Sequence, residues 1–431
     1  MHIPGIINKL ARGAALTITA LLGCATASHA STQLFAPENY NAWVDARLVS
    51  VSGEPSWLNE DFGKLRYGKG DAGVHVAQAG LAWKPRLADT VTAYVMIQDV
   101  PDTEHPLGVE EAFIKWKPVP TSAWRYSFRL GQFFPPVSME HDGVGWTPSR
   151  TLTPSAINSW IGEEVLVQGL EASVQRNFGD HQVGLTLGGF RKDDTAGTIL
   201  AWRGWALHDV SSSENSELPL PSGANQGYAQ IFGPYQAYDS RPVDEVDGRL
   251  GYYARLDWRP PAPMAFNFEF YDNQGDPTAV RNAQWGWGTR FYNLGWQMQL
   301  NPKTELMAQY MRGHTRMGWN LGDGTWAIDA NFDSAYALVS HKFDGSGFFG
   351  GTRLTGRIDY FSVKDRSMRA VDDNTDKGGS ATIAWIKPVN AHLDLTVEGI
   401  TISSNHPARV THMIDPRQDQ SMVQVALKLH F

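Results

Sequence analysis

The chain has 431 residues, 37 basic and 45 acidic side chains, one cysteine, 42 glycines and 16 tryptophans. The acidic excess argues against nucleic acid as a partner, and beyond the first thirty residues no stretch approaches the ~18–20 uninterrupted apolar residues of a membrane helix. Abundant glycine and aromatic residues point instead to β structure with many turns.

In the first thirty residues, Lys9 and Arg12 form a basic start, Ala14 to Gly23 is apolar but too short to span a bilayer, and Ser28-His29-Ala30 has a small-x-small pattern. Residues 1–30 therefore read as a secretory signal. Removing Lys9 and Arg12 leaves 35 basic against 45 acidic side chains, a net of −10. The single Cys24 follows Leu21-Leu22-Gly23, which loosely resembles a lipoprotein acylation site; the alternative is ordinary cleavage after Ala30, which leaves no disulfide and no thiol nucleophile.

From Trp43 onward, segments of about ten residues alternate apolar and polar side chains, the period of strands. Sixteen are expected, over 43–51, 74–84, 91–99, 109–117, 124–133, 165–176, 181–190, 249–258, 264–272, 286–300, 304–315, 333–343, 352–363, 378–387, 392–403 and 421–431. The last is the clearest, with Val423, Val425, Leu427, Leu429 and Phe431 on one face and Gln424, Lys428 and His430 on the other. The segment 333–343 is ambiguous.

The connections alternate between short turns and long polar loops, the loops covering 52–73, 100–108, 134–164, 191–248, 273–285, 316–332, 364–377 and 404–420. An even number of strands with short turns at one end and long loops at the other is the layout of an all-β transmembrane antiparallel barrel. Closure pairs every backbone group in lipid, and the lumen is free to be polar. Trp83, Trp116, Trp124, Trp258 and Trp385 lie near the short-turn ends, as an interfacial girdle requires.

The signal, the strand count and the aromatic end at Phe431 resemble a bacterial outer-membrane porin of a Gram-negative cell. The stretch Arg129-Leu130-Gly131-Gln132-Phe133-Phe134-Pro135-Pro136-Val137-Ser138-Met139-Glu140, with Trp160-Ile161-Gly162-Glu163-Glu164-Val165 beyond it, is similar to the phosphate-selective porin O and P family. The resemblance implies that the third long loop, 134–164, folds inward and narrows the lumen, that the insertion machinery recognises Phe431, and that the protein is a homotrimer. Pro135 and Pro136 cannot donate to a ladder, so they end the strand where this loop begins. The family's pores are dense in arginine and lysine, whereas this loop sets Arg150 against Glu140, Asp142, Glu163 and Glu164, which speaks against phosphate specificity.

Alternation adds Arg125, Arg129, Arg249, Arg255, Arg353 and Arg357 to the lumen, with Gln132 at the strand end. Basic and acidic groups facing one another across a constriction set up a transverse field that favours polar solutes. Each arginine has a plainer alternative, pairing with a neighbouring carboxylate to stiffen the wall. The expected function is diffusion of small hydrophilic solutes or ions, anions among them, across the outer membrane; a receptor or enzyme built on the barrel loops is the alternative.

No catalytic constellation, cofactor or metal motif emerges. Gly68-Lys69-Gly70-Asp71-Ala72-Gly73 fits a dinucleotide-binding string but lies between strands, with no helix to supply a dipole, and is expected to be an external loop. The 191–248 connection is expected outside the barrel, with its Ile199–Leu207 piece either a short helix or a plug over the mouth.

Overall fold

A computed structural model describes residues 34–221, 235–320, 322–368 and 373–431. The proposed signal, with Cys24, lies outside them. Sixteen antiparallel strands form a closed barrel. They are β1 Tyr40–Ser52, β2 Gly73–Trp83, β3 Val91–Asp99, β4 Leu107–Trp116, β5 Trp124–Phe133, β6 Val167–Phe178, β7 His181–Arg191, β8 Gly251–Arg259, β9 Met264–Asp272, β10 Arg290–Asn301, β11 Thr304–Asn320, β12 Trp326–Lys342, β13 Arg353–Asp365, β14 Asp376–Asn390, β15 Leu393–Asn405 and β16 Arg417–His430. Each pairs with its neighbours in sequence. β16 then returns to β1 with Val44 opposite Leu429 and Leu48 opposite Val425, so no edge remains. Two short helices, α1 Ala156–Glu164 and α2 Thr198–Trp202, lie in the long loops.

One boundary differs from expectation. The 316–332 stretch, expected to be a loop, is mostly strand, because β11 and β12 continue pairing beyond the wall. Arg316 and Asp329, directly opposed, form an ion pair at 3.2 Å, and Met317 and Ala327 are buried. Cross-strand pairing of this kind extends a ladder that composition alone reads as polar loop.

The outer face is apolar as alternation requires. Leu130, Leu170, Leu256, Leu294, Ile358, Ile383, Val423 and Leu427 are all exposed, while Gln424 between the last two is fully buried. Of the girdle residues, Trp116, Trp124 and Trp258 are exposed at the short-turn end. Trp116 stacks on Phe128 and Trp258 on Phe266, with centroids 5.2 and 5.3 Å apart. Rings with a polar edge at this height are what a membrane interface selects.

The lumen departs from a water-filled tube. One cluster of buried apolar side chains joins the wall strands, through Val49, Phe190, Tyr253, Phe291, Phe332, Phe361, Ile400 and Met422, to Trp57, Trp160, Trp202 and Trp205 of the inserted loops. Aromatic residues on the inner face of a barrel need a packed partner, and the loops supply it.

Candidate lumenal site

The third loop leaves the wall at the end of β5. Gly131 has φ +144°, and a Cβ there would come within 2.2 Å of the Ala112 carbonyl oxygen, so only glycine fits where β5 lies against β4 shortly before Pro135 and Pro136. The loop then crosses to the far wall. β13 is eight places from β5 in either direction round the ring, and it is there that the loop is fastened.

Arg357 of β13 makes most of the attachment. Its guanidinium donates to Glu140 Oε1 at 3.0 Å, to the Thr153 carbonyl at 2.7 Å, to the Pro154 carbonyl at 3.0 Å and to its own strand's Asp359 at 2.9 Å. Glu140 also accepts from the Ser155 N–H at 2.9 Å and from Asn158 Nδ2 at 2.5 Å. Glu398 of β15 accepts the Leu152 and Thr153 N–H groups at 2.6 and 3.1 Å. Ser155 caps α1 by accepting from the Asn158 N–H at 3.4 Å. The backbone groups of this stretch named above, remote from any ladder, are thereby satisfied.

Arg150, on the same loop, grips Glu305 of β11 through two bonds at 2.9 and 3.0 Å and Asp142 at 2.7 Å. Arg353 shares Glu305 at 2.7 Å. Arg129 binds Glu171 at 2.8 Å and the Phe134 carbonyl at 3.1 Å, with its guanidinium 3.9 Å from the Phe133 ring centroid. Arg255 binds Asp257 at 2.8 Å and donates to the Pro136 carbonyl. Gln132 donates to the Val109 carbonyl at 2.9 Å. Arg125 is exposed toward the short-turn end. Arg249 precedes β8, is about half exposed and pairs with Asp276 of a long loop at 2.6 Å, so it stands apart from the other wall arginines.

Glu163 and Glu164 are fully buried and face a second inserted segment that was expected outside. Residues 193–213, within the 191–248 connection, are almost all buried inside the ring of strands. Glu163 binds Arg203 through both oxygens at 2.5 and 2.8 Å. Glu164 accepts the Ile199 and Leu200 N–H groups at 2.9 and 3.3 Å and Trp160 Nε1 at 2.7 Å. Burial, with Glu163 beside it, pushes the Glu164 carboxyl up to about 7. Burial pulls Glu163 the same way, but the charges of Arg203 and His208 hold it at about 2.

The first loop also folds in. Lys64, fully buried, donates to Asp376 of β14 and to the Arg203 carbonyl, both at 3.0 Å, and burial lowers its ammonium to about 8 despite Asp376. Gly68, expected in an external loop, is buried, and a Cβ there would lie 2.1 Å from the Ser56 nitrogen.

Lys64, Arg66, Arg203, Asp209 and Asp376 were missed in the sequence because four of them lie in loops without periodicity and the fifth is at a strand end. The one visible signal was Ile199–Leu207, too apolar for an exposed loop. Toward the short-turn end a cavity of about 340 Å³ remains between the third loop and the wall, lined in part by Asp45, Arg47, Asp209, Asp394, Lys428 and His430.

Ser138 and His141 do not assemble into a hydrolytic centre. Ser138 Oγ lies 2.8 Å from His141 Nδ1, but it already accepts the Glu140 and His141 N–H groups and serves to cap a turn. Among the described residues, Asp194, Glu245 and Asp247 come close enough together to hold a cation. Their oxygens are occupied by loop backbone, Asp194 accepting from the Val246 and Asp247 N–H groups and Glu245 from those of Lys192 and Gly248.

A closed sixteen-stranded barrel with a lipid-facing apolar belt and an inward third loop is an outer-membrane β-barrel of porin-like fold. The solved structures agree on the fold. The outer membrane channel DcaP of Acinetobacter baumannii is 12% identical with a TM-score of 0.51, over 91% of this chain and 96% of that one. A loop L8 deletion mutant of OmpT, an outer membrane protein of Vibrio cholerae, is 7% identical with a TM-score of 0.50, over 91% of this chain and 98% of that one. No protein-family model matches the sequence, and no curated protein does.

Proposed function

We propose that this barrel is an outer-membrane channel for small hydrophilic solutes or ions, narrowed by residues 134–164. The observation that carries this reading is the fastening of the third loop across the lumen, from the end of β5 to Arg357 of β13. A loop held on the opposite wall by charged groups narrows the lumen and lines it with fixed charge of both signs.

The pore-lining set is Arg125, Arg129, Gln132, Glu140, Asp142, Arg150, Arg255, Arg353 and Arg357. Phosphate selectivity is not part of the proposal. Arg129, Arg150, Arg255, Arg353 and Arg357 are each matched by a carboxylate, so these five do not form a free basic ladder. The likeness to the phosphate-selective porins rests on the 129–140 stretch and the 160–165 segment. A homotrimer and recognition of Phe431 by the insertion machinery belong to the same proposal.

The test is planar-bilayer recording on purified protein. Discrete conductance steps support the reading, and a salt gradient then reports the ion preference. Protein that inserts as a folded barrel yet gives no steps, with or without residues 196–207, overturns it.

A further inference from the structure

The channel reading leaves residues 193–214 unexplained, and their course is unusual. The segment starts at the β9 wall, where Asp193 meets Tyr271, and Thr289 before β10 donates to the Ala196 carbonyl at 2.5 Å. It crosses as α2, and at Trp205 reaches β13 and β14, through the Ser362 carbonyl and Asp376, both at 3.0 Å. Leu207 then pairs with Leu65 of the first loop as a parallel bridge. Asp209 next lies between Arg47 of β1, at 2.5 Å, and Arg66, at 3.1 Å. Ser211 bonds Gln98 of β3 and Glu110 of β4 at 3.0 and 2.7 Å, and Glu214 ends the run on the Val109 N–H.

The segment therefore touches the wall on most sides of the ring. It also rests on the third loop: Arg203 on Glu163, and the His208 and Ser212 N–H groups on Ser159 Oγ at 3.0 Å and the Gly162 carbonyl at 2.8 Å. Its apolar residues, Ile199, Leu200, Trp202, Trp205 and Leu207, belong to the same buried cluster as the wall aromatics. These buried apolar side chains exclude water, and with it a hydrated solute, from the part of the lumen they occupy.

We propose that residues 193–214, rather than the third loop alone, decide what crosses this barrel: seated, they close the lumen, and solute passes only when they leave their seat. The inference rests on the channel reading and adds the element that sets permeation. Undocking costs the burial of two indoles, parts Glu163 from Arg203, and leaves Arg47 and Arg66 with Asp45 and Asp102 alone, so the seated state dominates at rest.

The experiment compares the full barrel with three variants in planar bilayers. In the first, a short Gly-Ser linker replaces residues 196–207. In the second, Leu65→Cys and Leu207→Cys tie the bridge under oxidation, with Cys24, the one native cysteine, replaced by serine so that no other thiol competes. The third is Asp209→Lys, which sets a third cation against Arg47 and Arg66 and covers the case in which the deletion fails to fold.

The expected result is a conductance at least fivefold above wild type for the linker variant, more frequent openings for Asp209→Lys, and closure of the oxidised double-cysteine form that dithiothreitol reverses. Equal conductance of wild type and a folded linker variant, or an oxidised form that conducts like wild type, overturns the plug and leaves the channel reading intact. If the linker variant fails to fold, unchanged openings of Asp209→Lys overturn it in the same way. Silence from a folded linker variant overturns the channel reading itself.

Discussion

Arg357 of β13 and Glu140 of the third loop, 217 residues apart in sequence, meet at 3.0 Å with both side chains buried. This pair joins the far wall to a loop that departs from β5. Removing one partner of a buried pair leaves an unpaired charge, at a cost of about 3–5 kcal/mol. Arg357→Ala is expected to lower the thermal midpoint of the barrel in detergent and to add open-channel current noise. Glu140→Gln, which keeps the acceptor shape, should do so less. Unchanged noise in Arg357→Ala would mean that the loop is held elsewhere.

Arg125 faces the open short-turn end, whereas the other proposed wall arginines are bound to carboxylates. An accessible charge in a vestibule acts on ion entry through its field. Arg125→Glu should shift the reversal potential under a salt gradient toward cations. The same change at Arg249, which is paired with Asp276 at the loop end, should shift it far less. Equal shifts would refute the placement of Arg125 on the ion path.

The pH response follows from the seat of the 193–214 segment. Glu164, raised to about 7 by burial and Glu163, favours the seated state in its protonated form. That stabilisation is complete below about 4.5, the ordinary carboxyl value, and is lost as pH rises through about 7. Asp193, raised by burial with Glu164 and Asp194 near it, acts in the same sense. Glu163 acts oppositely, but only below about 4.5, where it would begin to lose its hold on Arg203. Openings should therefore be more frequent at pH 8 than at pH 5.5. Glu164→Gln should flatten most of that difference, and a profile unchanged by the substitution would remove Glu164 from the account.

The outer belt gives a test independent of the lumen. Ile383 is exposed at the middle of β14. Arginine at the bilayer midplane costs ~2–4 kcal/mol, so Ile383→Arg should depress folding into lipid vesicles, measured as the heat-modifiable fraction on a gel. Gln299→Arg, on the polar face of β10 near its short-turn end, should fold like wild type.

Much of the architecture was legible in order along the chain. The final strand shows why: Val423, Leu427 and Leu429 face lipid while Gln424 is buried, and a period of two reports that split directly. The double proline likewise marked the departure of the chain from the wall, because loss of two N–H donors is a local property. The β11–β12 extension was not legible, since Arg316 opposite Asp329 looks like loop charge until the two are paired.

By itself the sequence determined which residues face lipid, how many strands close the ring and, apart from the β11–β12 extension, where its short and long connections fall, because these depend on neighbours one or two residues away. Only the tertiary structure decided that the first loop and residues 193–213 fill the lumen beside the third. Lys64 finds Asp376 across 312 residues, and Arg47 finds Asp209 across 162. Loop residues carry no periodicity to announce such partners. Their placement is settled by burial of Trp202 and Trp205 against wall aromatics, and by the need to neutralise every charge that follows them inside.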